Sequence, residues 1–218
     1  MIIVDGASTD GTQEVVRDFI SSHTDTDIRF VSEPDNGMYD ALNKALDLYT
    51  GDAFGVLNSD DAYHDTRALA RIAEGLFRAD IVHGNLNFVN SHVDRRVVRR
   101  WQAQPRPAGG FRTGWMPAHP TFYCRRPVGS AVGYFNPKLP IASDYDWMLR
   151  AVELFSYSVE CIDHVLVDMQ IGGRSTRGLS AHVMHNLEAL KSRRKWLDVG
   201  VVDYALLAKP LKKINQFL

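Results

Sequence analysis

Asp5, Asp60 and Asp61 sit where an α/β chain places its ligand chemistry. Asp5 ends the apolar run Ile2-Ile3-Val4, and Asn58-Ser59-Asp60-Asp61 follows the apolar run from Ala53 to Leu57. Open α/β sheets bind ligands at the carboxyl ends of their strands, so on this reading the aspartates share one cleft. Paired carboxylates suit a hard divalent ion, Mg²⁺ or Mn²⁺, which takes oxygen ligands, keeps some water and would bridge to a diphosphate. An Asp-Asp pair after a strand serves equally as a turn and helix N-cap, so the metal reading needs support from elsewhere in the chain.

A second acidic group, Asp144 and Asp146, opens a helix expected to be capped by Ser143, and carboxylates in a first turn are favoured by the helix dipole alone. Between the two groups, Gln102 to Pro120 holds four prolines and three glycines beside Trp101, Phe111 and Trp115. That composition predicts a shaped surface loop, and acceptor contacts are placed there, with Trp115 among them. The histidines show no shared metal spacing; His182 and His185 lie three apart on a predicted helix without a third partner.

The elements that must hold these residues alternate. Strands are expected at 1–4, 28–31, 53–57, 81–82, 97–98, 121–124 and 159–169. Helices are expected after Thr12 (Val15, Val16, Phe19, Ile20), across Met38 to Leu48, from Asp65 with Leu69, Ile72, Leu76 and Phe77 inward, from Ser143, and from Ser180 to Trp196. This order predicts an α/β fold with an open, mostly parallel sheet flanked by helices. Gly172 to Thr176 reads as a lid whose Arg174 meets phosphate, or as a plain solvated loop.

With 218 residues the chain supports one sizeable core, and a net charge of −1 gives no electrostatic case for nucleic acid. Two cysteines without a metal or disulfide pattern fit a reducing cytoplasm. No signal-like N-terminus and no run of eighteen apolar residues is present, so neither secretion nor membrane spanning is expected.

Three segments taken in order carry a resemblance. Val4-Asp5-Gly6-Ala7-Ser8-Thr9-Asp10-Gly11-Thr12, then Glu33-Pro34-Asp35-Asn36-Gly37-Met38-Tyr39-Asp40-Ala41-Leu42-Asn43, then Leu57-Asn58-Ser59-Asp60-Asp61 resemble family 2 glycosyltransferases of the GT-A (Rossmann-like) fold. The likeness spans roughly residues 1 to 175 and is nearest to bacterial exopolysaccharide and colanic-acid-type sugar transferases. It implies a metal-dependent inverting transfer from a nucleotide-sugar donor, UDP-sugar favoured, to a glycan or lipid-linked acceptor. Asp5 would hold the base or ribose, and Asn36, Gly37, Asp40 and Asn43 would line the donor pocket. Asn58 and Asp60 would also bind the donor, Asp60 nearer the ribose, with Asp61 as first metal ligand and Asp60 beside it. Asn58 stands where the family often has aspartate. Ala142-Ser143-Asp144-Tyr145-Asp146-Trp147 resembles the family's acidic motif, which makes Asp144 the base and Asp146 its rival, although Ser143 replaces the common glutamate. His119-Pro120-Thr121-Phe122 resembles a segment beside the acceptor site, so His119 either bonds an acceptor or serves as a structural histidine.

Relative to that family the chain opens at the second strand, lacking a strand and helix of roughly 30 residues. The exposed sheet edge this would leave favours pairing of copies into a homo-oligomer. A catalytic domain is expected over 1–178, with a C-terminal helical segment over 179–218 packing on the core or, through its lysines, on the cytoplasmic face of the membrane. A sugar nucleotidyltransferase is the weaker alternative, for the N-terminus has no glycine-rich phosphate loop with a basic residue.

Overall fold

Ile2–Asp5 (β1) and Arg29–Ser32 (β2) pair in parallel from Ile2 with Arg29 to Asp5 with Ser32, joined by helix α1 (Thr12–Ser22). This is the crossover that the strand-loop-helix pattern predicts. The computed structural model describes residues 1–91, 93–172 and 179–199. Beyond Gly172, the loop read as a lid lies outside them, as does the basic segment 203–218.

After α2 (Met38–Leu48) come β3 (Ala53–Gly55), β4 (Asp61–Tyr63), α3 (Ala68–Arg78), β5 (Ile81–Val89), β6 (Val97–Trp101), β7 (Tyr123–Arg125), α4 (Arg126–Val132), α5 (Ser143–Glu153), β8 (Val159–Gln170) and α6 (Leu179–Leu197). Six strands form a second sheet in the order β3-β7-β5-β8-β4, with β6 paired to β5. The class is α/β, as expected. The longest ladder, β5 with β8, is parallel, and the shorter ladders are antiparallel.

Two apolar clusters hold the sheet. On one face α3 lays Ile72 and Leu76 against Val82, Leu86, Ile162 and Leu166. The helix is where the sequence places it, but Leu69 and Phe77 point outward, Phe77 with 89% of its surface exposed. At 100° per residue Phe77 cannot share the inward direction of its neighbour Leu76, and Gly75 approaches Val82 too closely for a side chain to stand there. On the other face α5 is almost wholly buried, with Trp147, Met148 and Leu149 packed among Phe111, Phe122 and Phe135.

Other expectations are corrected locally. Ser143 is the first residue of α5 and not its cap; the Glu188 carboxylate of α6 accepts the Ile141 and Ala142 N–H groups at 3.1 and 2.8 Å. That bond seats α6 on α5, where Ala189, Ser192, Arg193 and Leu197 are buried. The proline-rich stretch is no free surface loop, because Phe111 and Trp115 anchor it in the core. Among the described residues no helix is long and apolar enough to cross a membrane.

His83 on β5 is buried, edge-on to Trp115 at 5.5 Å, and neither ring nitrogen has a hydrogen-bond partner among the described residues. Burial pushes its pKa down from 6.5 to about 4. Between those values the unfolded chain binds a proton that the folded one refuses, so stability is full above the window and falls as pH drops through it. The wild type should lose about 2 kcal/mol through this group between pH 7.5 and pH 5. Urea midpoints of wild type and His83→Leu at both pH values check this, and parallel losses in the two proteins would remove His83 as the cause.

Candidate active site

Asp5 ends β1 almost buried, with its carboxylate folded back onto the loop that follows. The Ser8 backbone N–H and hydroxyl donate to it, and the Ser32 hydroxyl donates from β2 at 2.7 Å. These donors, the Ser8 hydroxyl first and Ser32 next, hold the carboxyl below the usual aspartate range. Ser8 and Ser32 are therefore part of the site, and only the three-residue spacing from Asp5 to Ser8 signalled either of them. Gly6 lies so close to Asp35 that an added Cβ would stand 2.6 Å from its Oδ2, which ties the two loops together.

Asp35 in turn accepts the Gly37 N–H at 2.8 Å, while Asp40 accepts from the Asn36 backbone and side-chain amides at 2.9 and 3.2 Å. The Asn36 backbone bond is the main reason the Asp40 carboxyl titrates below its ordinary range. Gly37 caps α2 at φ 111°, a conformation side chains rarely adopt, so glycine is required at this bend. Asn43 lies one turn further on, on the side of α2 that carries Tyr39. Its amide donates to the Phe135 carbonyl at 3.0 Å and accepts the Phe135 N–H at 2.8 Å, clamping α2 to the segment before α5.

Asn58 to Asp61 form a turn closed by the Asp61 N–H on the Asn58 carbonyl at 3.0 Å, and the Asn58 side chain donates to Asp61 Oδ2 at 2.8 Å. Asp60 is exposed and Asp61 half-buried at the start of β4. Asp61 lies near enough to Tyr123 for its charge to help hold that phenol protonated, after burial and Tyr63. Among the described residues no group of three or more His, Cys, Asp or Glu side chains is placed to hold a metal. Asp60 and Asp61 nonetheless offer the oxygen-only pair that Mg²⁺ or Mn²⁺ uses when nucleotide phosphates and water complete its shell. Two surface hollows of about 370 Å³ lie elsewhere, one beside Arg67, Arg71 and His164 and one beside His64 and Arg95.

The two carboxylates of α5 are sharply different. Asp146 is 3% exposed; its Oδ2 takes the Arg150 Nε–H and its Oδ1 the Trp196 indole N–H, both at 2.9 Å. Asp144 is partly open, with 23% of its side chain exposed. Its Oδ1 accepts the Tyr39 hydroxyl at 3.1 Å and the Tyr145 N–H at 2.8 Å, and its Oδ2 faces His119 Nδ1 at 3.8 Å. Burial lowers the His119 pKa, with the Asp144 charge opposing, so a neutral imidazole stands beside the carboxylate. Trp115 is buried, with its indole N–H on the Gln104 carbonyl at 2.8 Å, and it shapes the loop from within.

Contacts thus connect Asp5, the Asp35–Asp40 bend, Tyr39, Asp144 and His119 in a continuous run, whereas Asp60 and Asp61 stand just before and at the start of β4, which pairs with β8 at the end of the six-stranded sheet. The fold is that of the GT-A glycosyltransferases. S. aureus TarS in complex with UDP-GlcNAc superposes with a TM-score of 0.66 at 16% identity, covering 94% of this chain and 59% of that one. The mannosyltransferase PcManGT from Pyrobaculum calidifontis in complex with GDP-Man and Mn²⁺ gives 0.58 at 18% identity, over 98% of this chain and 70% of that one. Residues 1–129, more than half of the sequence, match the family described as Glycosyl transferase family 2, and the chain belongs to it. Among curated proteins it is similar to the PGL/p-HBAD biosynthesis glycosyltransferases of Mycobacterium bovis and Mycobacterium tuberculosis, 27% identical over 165 residues. That match takes in 69% of this chain, which spans only 57% of those relatives' length.

Proposed function

We propose that this chain is the catalytic part of a metal-dependent, inverting glycosyltransferase that moves a sugar from a nucleotide-diphosphate sugar, UDP-sugar favoured, to a glycan or lipid-linked acceptor in cell-surface polysaccharide or glycolipid synthesis at the cytoplasmic side of the membrane. The observation that carries it is Asp144: a partly open carboxylate at a helix start, with Oδ1 held by two donors and Oδ2 facing a neutral histidine at 3.8 Å. Relatives named as glycosyltransferases, and neighbours of the same fold bound to UDP-GlcNAc or to GDP-Man with Mn²⁺, support the donor class.

In the mechanism this supports, Asp5 and the Asn36–Asp40 bend hold the nucleotide. Asp144 takes the proton of the acceptor hydroxyl as that oxygen bonds to the anomeric carbon, and the bond from that carbon to the diphosphate breaks with its electron pair leaving on the diphosphate. Attack opposite the leaving group inverts the anomeric configuration. Asp61 and Asp60 would hold Mg²⁺ or Mn²⁺, whose positive charge would favour departure of the diphosphate. Asp146 sits too deep in its ion pair to reach an acceptor, so Asp144 is preferred as the base.

Calorimetric titration of UDP and GDP, with and without Mn²⁺, into wild type and Asp61→Ala tests this reading. Mn²⁺-dependent binding that weakens at least about 10- to 100-fold in the variant is expected, since loss of even an outer partner of a metal ligand costs that much. A folded wild type that binds neither nucleotide sinks the proposal. Binding without turnover would instead favour a non-catalytic donor-binding protein.

A further inference from the structure

Tyr39 carries the N-terminal half of the site to Asp144. Its ring is buried and stacked on Phe135 at 5.9 Å, which stacks in turn on Trp147 at 5.4 Å. One turn later Asn43 makes its two bonds to the Phe135 backbone. With ring and helix both fixed, the phenol oxygen has a defined position, 3.1 Å from Asp144 Oδ1 and 2.9 Å from the Ile141 carbonyl. Its single hydrogen serves one acceptor at a time, and a charged carboxylate is the stronger of the two. Burial first, and then the Asp144 charge, hold the phenol protonated far above its ordinary range, so it stays a donor at any working pH.

Two donors, the Tyr39 hydroxyl and the Tyr145 amide, therefore meet on the same oxygen. That arrangement selects between two chemically equivalent atoms: Oδ1 is anchored, and Oδ2 is turned toward His119. We propose that Tyr39 is a positioning residue for the base, fixing the Asp144 rotamer so that Oδ2 receives the acceptor proton. This rests on the assignment of Asp144 as base. It also ties the base to the bend at Asp35-Asn36-Gly37, because Tyr39 lies two residues beyond Gly37 at the start of α2. When Asp144 accepts a proton its charge is lost, and the Tyr39 hydrogen is then free to turn to the Ile141 carbonyl without leaving a buried donor unpaired.

Tyr39→Phe keeps the stacked ring and removes only the hydroxyl. Nucleoside diphosphate release from UDP-glucose, UDP-N-acetylglucosamine and GDP-mannose with Mn²⁺, water serving as acceptor, gives kcat and donor KM. The variant should lose between about 10- and 100-fold in kcat, the scale of a small misplacement of a reacting group, while donor KM moves less than about 2-fold. Added to Asp144→Asn, it should cause no further loss. Crystals should show one Asp144 rotamer in the wild type and several in Tyr39→Phe. An unchanged kcat in Tyr39→Phe beside a collapsed one in Asp144→Asn overturns the positioning role and leaves the base intact, as does one shared rotamer in the two crystals. Full turnover in Asp144→Asn removes the base itself.

Discussion

Replacing Asp144 by asparagine should lower kcat by about 10²–10⁴-fold, the usual contribution of a positioned general base, while donor affinity stays as in the wild type. The amide is nearly isosteric and its oxygen still accepts the Tyr39 hydroxyl and the Tyr145 N–H, so the fold around it should hold. What it lacks is a basic oxygen facing the acceptor. His119 is poorly suited to take over, because burial in a packed site opposes the charge it would gain. Steady-state rates and donor titration on the same preparation separate the two effects. A fall of less than about 10-fold would mean that the proton leaves by another route.

The largest stability effect is expected further along the same helix, α5. Arg150→Met should destabilise the protein by about 3–5 kcal/mol, the cost of leaving a buried carboxylate without its counter-charge. Arg150 binds Asp146 through Nε and also donates to the Val132 and Tyr134 carbonyls, so one side chain ties α5 to the end of α4 and the residues after it. Among the described residues Asp146 would keep the Trp196 indole N–H as its side-chain donor. Urea unfolding at pH 7 measures the change, and Asp146→Asn combined with Arg150→Met should recover much of it because the orphaned charge is gone. A single-variant loss under about 1 kcal/mol would show that water reaches Asp146 and that the pair is not truly dry.

The parts of this architecture that were legible in the sequence are those written locally. An apolar run that stops at a carboxylate marks a strand end, which is why Asp5 is legible as the last residue of β1, whereas β3 stops at Gly55, short of the expected Leu57, and Asp61 opens a strand of its own. The period of Ile72 and Leu76 marked α3, though not that Leu69 and Phe77 would face outward. Polar residues inside buried strands hid the rest. β5 runs nine residues through His83, Asn85 and Asn87, and its polar positions interrupt the apolar signal. β4 was invisible because three residues beginning with aspartate read as the end of a loop. Ser143 promised a cap that Glu188 supplies from 45 positions away, and the meeting of Tyr39 with Asp144 spans 105 positions. Such pairings depend on tertiary approach, which no local spacing encodes. Asp144 and Asp146 are likewise indistinguishable two positions apart until the helix acquires an inside and an outside.

The helix between β1 and β2 buries none of its residues, and Val15 and Phe19 on it remain exposed. The β1–β2 pair contributes one buried residue, Asp5, and α2 contributes Tyr39. The amino-terminal third is thus fastened to the remainder chiefly through α2, by the ring of Tyr39, the partly buried Leu42 and Leu46 and the amide of Asn43. Segments with so few apolar contacts open at free energies below that of global unfolding, as separate cooperative units. A nucleotide held between Asp5 and the start of α2 would act as a clasp on that unit. Occupancy at 100 times the dissociation constant would raise its opening free energy by about 2.7 kcal/mol, so the end proposed to hold the nucleotide would owe part of its rigidity to its own cargo.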